Sequence, residues 1–126
     1  MIKTNSKQAK ENIKSYILSI YNKGEDYSNC GINTDVEKWE DVKKVITTIF
    51  DLEVGHYRSQ QIGEYKAFFE WCQGLPSIID TCYYYNRSAV KDLGDILEET
   101  EEERNKYTEQ QAEERLTHLI YRELFK

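Results

Sequence analysis

Apolar side chains recur at spacings of three and four residues along most of this chain of 126 residues. That spacing places them on one face of an α-helix. The chain has a single proline and six glycines, too few turn residues for the many short strands of an all-β fold. The apolar stripes are broad and the breaks between them are unevenly spaced. We therefore predict an all-α fold, a compact irregular bundle of five to six helices.

The length and composition favour one folded domain, residues 1–126. A chain of this size can bury one self-sufficient core but is too short for two ordinary domains. Hydrophobic residues make up 39% of the sequence and aromatic residues 13%, which is more than a disordered chain contains. No apolar run approaches the roughly 18 residues that cross a bilayer, so we expect no membrane role.

The first two helices have boundaries that can be read from local signals. The first should begin after Thr4 or Ser6 and end near Asn22, before a polar loop. Residues 34–37 have the pattern of a capping box, in which the side chains of the first and fourth residues accept hydrogen bonds from each other's backbone amides. The second helix should then continue through Leu52, and its apolar period predicts a central position.

Two further helices are predicted on either side of the only proline. Residues 59–73 form an aromatic helical face, within which Gly63 would allow a close helix crossing. Residues 74–76 make the sharpest turn, and Ser77 can cap a fourth helix after it. That helix could continue to Leu97, but we favour a break at residues 86–88, before a short fifth helix.

The last third of the chain contains an acidic segment and a final helix. Residues 98–107 have almost no apolar side chain, which predicts an acidic connector or a frayed helical extension. Thr108 and Gln111 have the spacing of a second capping box, so the last helix should begin there. Its apolar face is predicted to consist of Ala112, Leu116, Leu119, Ile120 and Leu124.

Charge is unevenly distributed along the chain, whose formal net charge is -6. A negative protein is poorly suited to sequence-independent nucleic-acid binding, which depends on Lys and Arg to neutralise phosphates. The first stretch is nevertheless basic, and it keeps a nucleic-acid-binding helix as an alternative. Its lysines are Lys3, Lys7, Lys10, Lys14 and Lys23.

The acidic residues near the last third are the strongest candidates for a protein-binding surface. They are Asp95, Glu98, Glu99, Glu101, Glu102 and Glu103. A series of carboxylates on a rigid scaffold can imitate a phosphate backbone and occupy the basic groove of a nucleic-acid-handling protein. The alternative is a solvated acidic linker that keeps the protein soluble.

Three consecutive tyrosines, Tyr83, Tyr84 and Tyr85, are added to this predicted binding surface. Adjacent side chains of a helix point about 100° apart, so the three cannot all face one core. Tyrosine also provides a large contact area while losing little rotamer entropy. We therefore expect at least one of them to contribute to protein binding.

No pattern of catalytic or metal-binding residues is present. His56 is expected to be a surface residue between helices, and His118 follows Glu114 by four residues on one helix face. A metal site would need further ligands than this pair. The sequence has no glycine-rich phosphate loop and no nucleophile elbow. We expect no enzyme activity, no catalytic residue, no cofactor and no metal.

Cys30, Cys72 and Cys82 are odd in number and include no Cys-x-x-Cys pair. Together with a polar start that lacks the pattern of a secretory leader, this predicts a reducing, cytoplasmic environment. Cys72 and Cys82 fall on apolar faces. We expect them to be buried structural thiols, with a contact between them across the central turn left open.

Three segments resemble a family of small uncharacterised proteins of bacteriophages and conjugative elements of gut bacteria. These segments are residues 5–7 with Ile13, Tyr16 and Ile17, then residues 74–76 followed by 83–85, and finally residues 118–123. The resemblance implies a genetic context and no catalytic residue. Small acidic helical proteins of such elements are often inhibitors of host defence, including anti-CRISPR proteins. The resemblance therefore implies a protein partner in the cytoplasm of the bacterial host.

These observations favour a non-enzymatic protein-binding module of a mobile genetic element, a counter-defence inhibitor that binds a basic, nucleic-acid-handling effector. One alternative is a homodimeric structural or accessory phage protein, in which a second copy covers exposed aromatic residues. The other is a helical nucleic-acid-binding domain that uses the lysines of the first helix.

Overall fold

The computed structural model describes residues 1–23, 39–74 and 88–125, and these ranges contain seven helices and no strand. The all-α prediction is confirmed, with a helix count slightly above the expected five to six. None of the described helices has the length and apolar character required to cross a membrane. The helices are α1 (Lys7–Lys23), α2 (Trp39–Val54), α3 (His56–Ile62), α4 (Glu64–Gly74), α5 (Ala89–Ile96), α6 (Glu101–Arg104) and α7 (Glu109–Leu124).

Gly63 ends α3, so the prediction of one continuous helix over residues 59–73 was wrong. Its φ of +89° lies in a region that residues with side chains rarely adopt, and it interrupts the helical path between α3 and α4. No described atom lies within 4 Å of the position that a Cβ would occupy. Gly63 therefore serves a turn between two helices, and it does not make a close helix crossing.

Two predicted helix starts are confirmed by their hydrogen bonds. The hydroxyl of Thr108 accepts a bond from the amide of Gln111 (3.1 Å), and the Gln111 side chain accepts one from the amide of Thr108 (3.0 Å). Ser88 caps α5 by accepting a bond from the amide of Lys91 at 3.2 Å. The fifth predicted helix therefore begins directly after Ser88, while residues 86 and 87 of the predicted break lie outside the described residues. The predicted polar loop, the capping box at residues 34–37, the helix after Ser77, Cys30 and Cys82 lie outside the described residues.

Among the described residues, the core is one cluster of buried side chains from α1, α2, α4, α5 and α7. The last helix, α7, contacts α1, α2, α4 and α5, and its predicted apolar face is buried throughout, with no member more than 5% exposed. Helix α2 contacts α1, α3, α4 and α7, which agrees with its predicted central position. The two ends of the described chain therefore share one hydrophobic core.

Aromatic rings join α2, α4 and the end of α7. Phe50, Phe68 and Trp71 are each at most 1% exposed. The ring of Phe68 lies 5.6 to 5.7 Å from those of Phe50, Trp71, Tyr121 and Phe125, centroid to centroid. The indole nitrogen of Trp71 donates a hydrogen bond to the carboxylate of Glu53. Such ring pairs stabilise a core beyond the area that they bury.

Candidate functional site

The six carboxylates predicted to bind a partner lie together where α5 leads into α6, and we call these residues the acidic corner: Asp95, Glu98, Glu99, Glu101, Glu102 and Glu103. The corner is a hydrogen-bonded turn followed by a capped helix. The amide of Glu99 donates to the carbonyl of Gly94 at 2.8 Å. The hydroxyl of Thr100 accepts a bond from the amide of Glu103 at 3.2 Å and begins α6. The segment is thus an ordered turn and a short helix, where the sequence predicted a connector or a frayed extension.

Asp95 is neutralised by an arginine from within the same segment. Arg104 lies across α5 at Gly94, where its Nε donates to the carbonyl of Glu99 at 3.1 Å and its Nη1 donates to Oδ1 of Asp95 at 2.8 Å. Asp95 is exposed, but its carboxylate already has a cationic partner. It is therefore a weaker candidate for binding a partner than the sequence indicated.

Glu103 is committed to the start of α6. Its carboxylate accepts a hydrogen bond from the amide of Thr100 at 3.0 Å, completing a capping box. The amino group of Met1 lies 3.7 Å from the same oxygen. The bond from the Thr100 amide lowers the pKa of the Glu103 carboxyl, and the Met1 amino group acts in the same direction. Glu103 therefore stabilises the start of α6 and is a weaker candidate for binding a partner.

Glu99 is buried, whereas both the predicted binding surface and the alternative of a solvated linker expect an exposed carboxylate at this position. Its side chain is 5% exposed, and neither carboxylate oxygen accepts a hydrogen bond from the described residues. Burial raises the pKa of this carboxyl, and the charge of Glu103 raises it further, while Arg115 and Arg104 act in the opposite direction. A partner docked on the surface would not reach Glu99.

The exposed remainder of the acidic corner consists of Glu98, Glu101 and Glu102. Glu98 has a left-handed backbone conformation, with φ of +53°, and its carboxylate lies 3.3 Å from the side-chain amide nitrogen of Asn12. Within the described ranges, Glu101 and Glu102 form no ion pair and no side-chain hydrogen bond. The predicted Tyr83, Tyr84 and Tyr85 lie outside the described residues, so their part in the surface stays a prediction.

The remaining candidate groups are placed as follows. His56 is exposed and hydrogen-bonded to Gln60, and the ring of His118 packs edge-on against Tyr65 at 5.0 Å. The Cys72 side chain is 1% exposed, which confirms the prediction of a buried cysteine at that position. Among the described residues, no group of three or more His, Cys, Asp or Glu side chains is close enough to hold a metal ion.

The basic first helix presents part of its charge to solvent. Lys3, Lys7 and Lys10 are exposed, whereas Lys14 is half-buried and its Nζ lies 5.9 Å from the ring centroid of Trp39. That distance permits a cation–π contact between α1 and α2. Lys14 therefore contributes to the packing of two helices, which leaves a smaller basic surface than the sequence indicated.

Sequence reasoning missed two features of the acidic corner. The capping box of α6 has the Thr-x-x-Glu pattern at Thr100 and Glu103, a signal that was present in the sequence. The return of Arg104 over Gly94 had no such local signal, since it depends on how α6 folds against α5. Compared with known proteins, the chain matches no family model, no curated protein and no solved structure. The functional assignment therefore depends on the geometry of the chain itself.

The contact between Arg104 and Gly94 predicts that Gly94→Ala changes the free energy of unfolding in opposite directions with and without the arginine side chain. A Cβ at Gly94 would lie 2.6 to 2.7 Å from the Cγ, Cδ and Nε atoms of Arg104, so the arginine must move and lose its hydrogen bonds. We expect Gly94→Ala to lower the free energy of unfolding by about 1–2 kcal/mol. In an Arg104→Ala background, the same change should raise it by up to about 1 kcal/mol, because alanine favours a helix over glycine.

Urea denaturation of the four proteins in this double-mutant cycle measures both effects. The contact is contradicted if Gly94→Ala changes stability by the same amount with and without the arginine side chain.

Proposed function

We propose that this chain is a non-enzymatic binding protein that contacts a protein partner through the exposed carboxylates of Glu98, Glu101 and Glu102. The observation that carries the proposal is that three carboxylates of the acidic corner have roles within the fold and the other three are exposed. Asp95, Glu99 and Glu103 are respectively paired, buried and used as a cap, whereas these three carboxylates face solvent. Their charge is therefore available to a basic surface.

The backbone that carries these carboxylates is held in place before binding. The capping box at Thr100 fixes the start of α6, and Arg104 ties its end to Asp95 and to the carbonyl of Glu99. A surface ordered in advance loses less conformational entropy when a partner binds. This supports a binding role over that of a solvated linker.

The partner that we propose is a basic, nucleic-acid-handling effector of host defence in the bacterial cytoplasm. Carboxylates at a fixed corner can occupy a groove that normally attracts phosphates. The resemblance to small proteins of bacteriophages and conjugative elements supports the same choice. The role would be that of a counter-defence inhibitor, anti-CRISPR-like in its mode of action.

The test is a binding measurement on purified RNA-guided nucleases, with and without their guide RNA, across a salt series. For any nuclease that binds, the triple variant Glu98→Gln, Glu101→Gln and Glu102→Gln should weaken binding by about tenfold or more at low salt, because rim charges contribute through electrostatic attraction. The difference between the variant and the unmodified chain should shrink as salt is added.

The matched control removes three exposed carboxylates from α2 by Glu40→Gln, Asp41→Asn and Asp51→Asn. It has the same net charge as the test variant, so a surface-specific interaction should survive it. Equal losses from the two triple variants would indicate a nonspecific charge effect. An unchanged affinity in the test variant would exclude the acidic corner as the contact surface.

A further inference from the structure

A pocket of about 690 Å³ lies on the exposed side of α7, between this helix, α4 and the turn that follows α6. We name it the cationic pocket after Lys106, Arg115, His118 and Arg122, which line it. Positions 115, 118 and 122 are three and four residues apart, so they form one stripe on the helix. The pocket therefore differs from the acidic corner in charge, because it gathers basic groups in a chain whose formal net charge is -6.

Tyr65 and Tyr107 line the cationic pocket with aromatic rings. The ring of Tyr65 in α4 is held edge-on by His118 at 5.0 Å and by Tyr121 at 5.2 Å. The hydroxyl of Tyr107 accepts a hydrogen bond from Nη1 of Arg115 at 2.8 Å. The guanidinium carbon of Arg115 lies 5.2 Å from the centroid of the Tyr107 ring. Contacts within the chain therefore orient the arginine and both rings.

Of the described residues that line the pocket, Lys106, Arg115 and Arg122 are formally positive and Glu114 is the one carboxylate, while two further carboxylates lie near the arginines. Glu114 lines the pocket, and Glu123 lies 3.6 Å from Nε of Arg122. Arg115 also acts on the buried carboxyl of Glu99. Arg122 is 14% exposed in its side chain and donates to the carbonyl of Thr4 at 2.7 Å, so it anchors the chain start as well as lining the pocket.

We propose that the cationic pocket binds a small organic phosphate that carries a flat ring, of the size of a nucleoside monophosphate. Its volume is that of a pocket for a small molecule, for which the usual range is about 300–1,000 Å³. Guanidinium and ammonium groups match phosphate oxygens, and the tyrosine rings offer apolar faces to a base. The carboxylate of Glu114 can accept hydrogen bonds from hydroxyl or amino groups of the ligand.

A small ligand fits better than a nucleic-acid strand. The turn that provides Lys106 directly follows α6, whose Glu101 and Glu102 are exposed. A long polyanion leaving the pocket on that side would meet these carboxylates, whereas a mononucleotide ends within the pocket. The overall negative charge also opposes a polyanion.

The test is a titration of the full chain with adenosine 5′-monophosphate, adenosine and inorganic phosphate, followed by amide NMR shifts. We expect saturable shifts with the monophosphate that are concentrated at residues 106–107 and 115–122, and affinity at least about tenfold weaker for each fragment, since each lacks one set of contacts. An absence of saturable shifts up to 10 mM monophosphate would overturn the proposal.

Two variants of equal charge locate the binding. Lys106→Gln with Arg115→Gln should weaken monophosphate binding by about tenfold, the effect of losing one or more charge-assisted hydrogen bonds. Lys10→Gln with Lys44→Gln, which removes two exposed lysines from α1 and α2, should leave binding unchanged. Equal weakening by the two pairs would overturn the assignment to this pocket.

A third ligand tests whether the pocket prefers a mononucleotide or the phosphorylated end of a nucleic-acid strand. A 5′-phosphorylated single-stranded decanucleotide should bind more weakly than the monophosphate, because its additional phosphates are repelled by the protein. Tighter binding of the oligonucleotide would overturn the small-ligand proposal in favour of nucleic acid. Thermal unfolding of each variant verifies that a loss of binding is not a loss of fold.

Discussion

Replacing Phe68 with alanine should lower the free energy of unfolding by about 3–5 kcal/mol, the usual cost of removing a buried aromatic ring. Phe68 is 0% exposed and its ring meets four others, which come from α2, α4 and the end of α7. These neighbours belong to three separate parts of the chain, so they cannot all move inward to fill the space. The penalty should therefore include an unfilled cavity as well as the lost transfer energy.

The neighbouring residue provides a matched control for this experiment. Phe69 is half-buried and contacts Tyr65 at a ring separation of 6.3 Å, outside the core cluster. Phe69→Ala removes the same atoms from the same helix and should lower stability by only about 1 kcal/mol. Urea denaturation gives both values, and Phe68→Leu supplies a milder change if the alanine variant is poorly folded. Equal losses at positions 68 and 69 would contradict the placement of Phe68 at the centre of the ring cluster.

The parts of the fold that could be predicted from sequence are those set by local rules. The apolar period of α7 identified its buried face, and the Thr108 and Gln111 pair identified its first turn. The turn at Gly63 could not be predicted in this way. The apolar residues on either side keep a helical spacing whether the glycine lies inside a helix or has a positive φ. The distinction between them depends on the path that α4 takes to reach the core.

The candidate surfaces were harder to predict because they depend on side chains from distant parts of the chain. Composition correctly indicated an acidic segment, but it gave no sign that Glu99 would be buried or that Arg104 would return to Asp95. The cationic pocket likewise combines groups from α4, the turn after α6 and α7. In the sequence those basic residues are interspersed with glutamates, and only the folded helix separates their faces.

Glu99 should destabilise the protein at neutral pH, so Glu99→Gln is expected to raise the free energy of unfolding at pH 7 by about 1–2 kcal/mol, because it removes a charge whose burial is unfavourable while the amide that replaces it stays buried. The carboxylate is 5% exposed and accepts no hydrogen bond from the described residues. Glutamine is equally buried but carries no charge. The control Glu101→Gln removes a charge from an exposed position of α6 and should change stability by less than about 0.5 kcal/mol.

The pH dependence separates this explanation from a simple packing effect. Burial raises the pKa of the Glu99 carboxyl in the folded protein above its value in the unfolded chain. Between these two pKa values the folded protein holds a proton that the unfolded chain has released, so stability falls as the pH rises through this window. Other carboxyls titrate in the same range, and Glu103 has a lowered pKa with the opposite effect. The informative quantity is therefore the difference between the variant and the unmodified protein.

That difference should increase with pH and level off above the pKa of Glu99 in the folded protein, and it should approach zero as the pH falls toward about 4.3, the ordinary pKa of a glutamate, because a protonated Glu99 resembles glutamine. Urea denaturation of both proteins at intervals between pH 4 and pH 8 measures it. A variant that is less stable at pH 7 would mean that Arg104 and Arg115 compensate the buried charge completely. A stabilisation that does not vary with pH would mean that Glu99 is already neutral at pH 7 and that its charge has no part in the stability of the acidic corner.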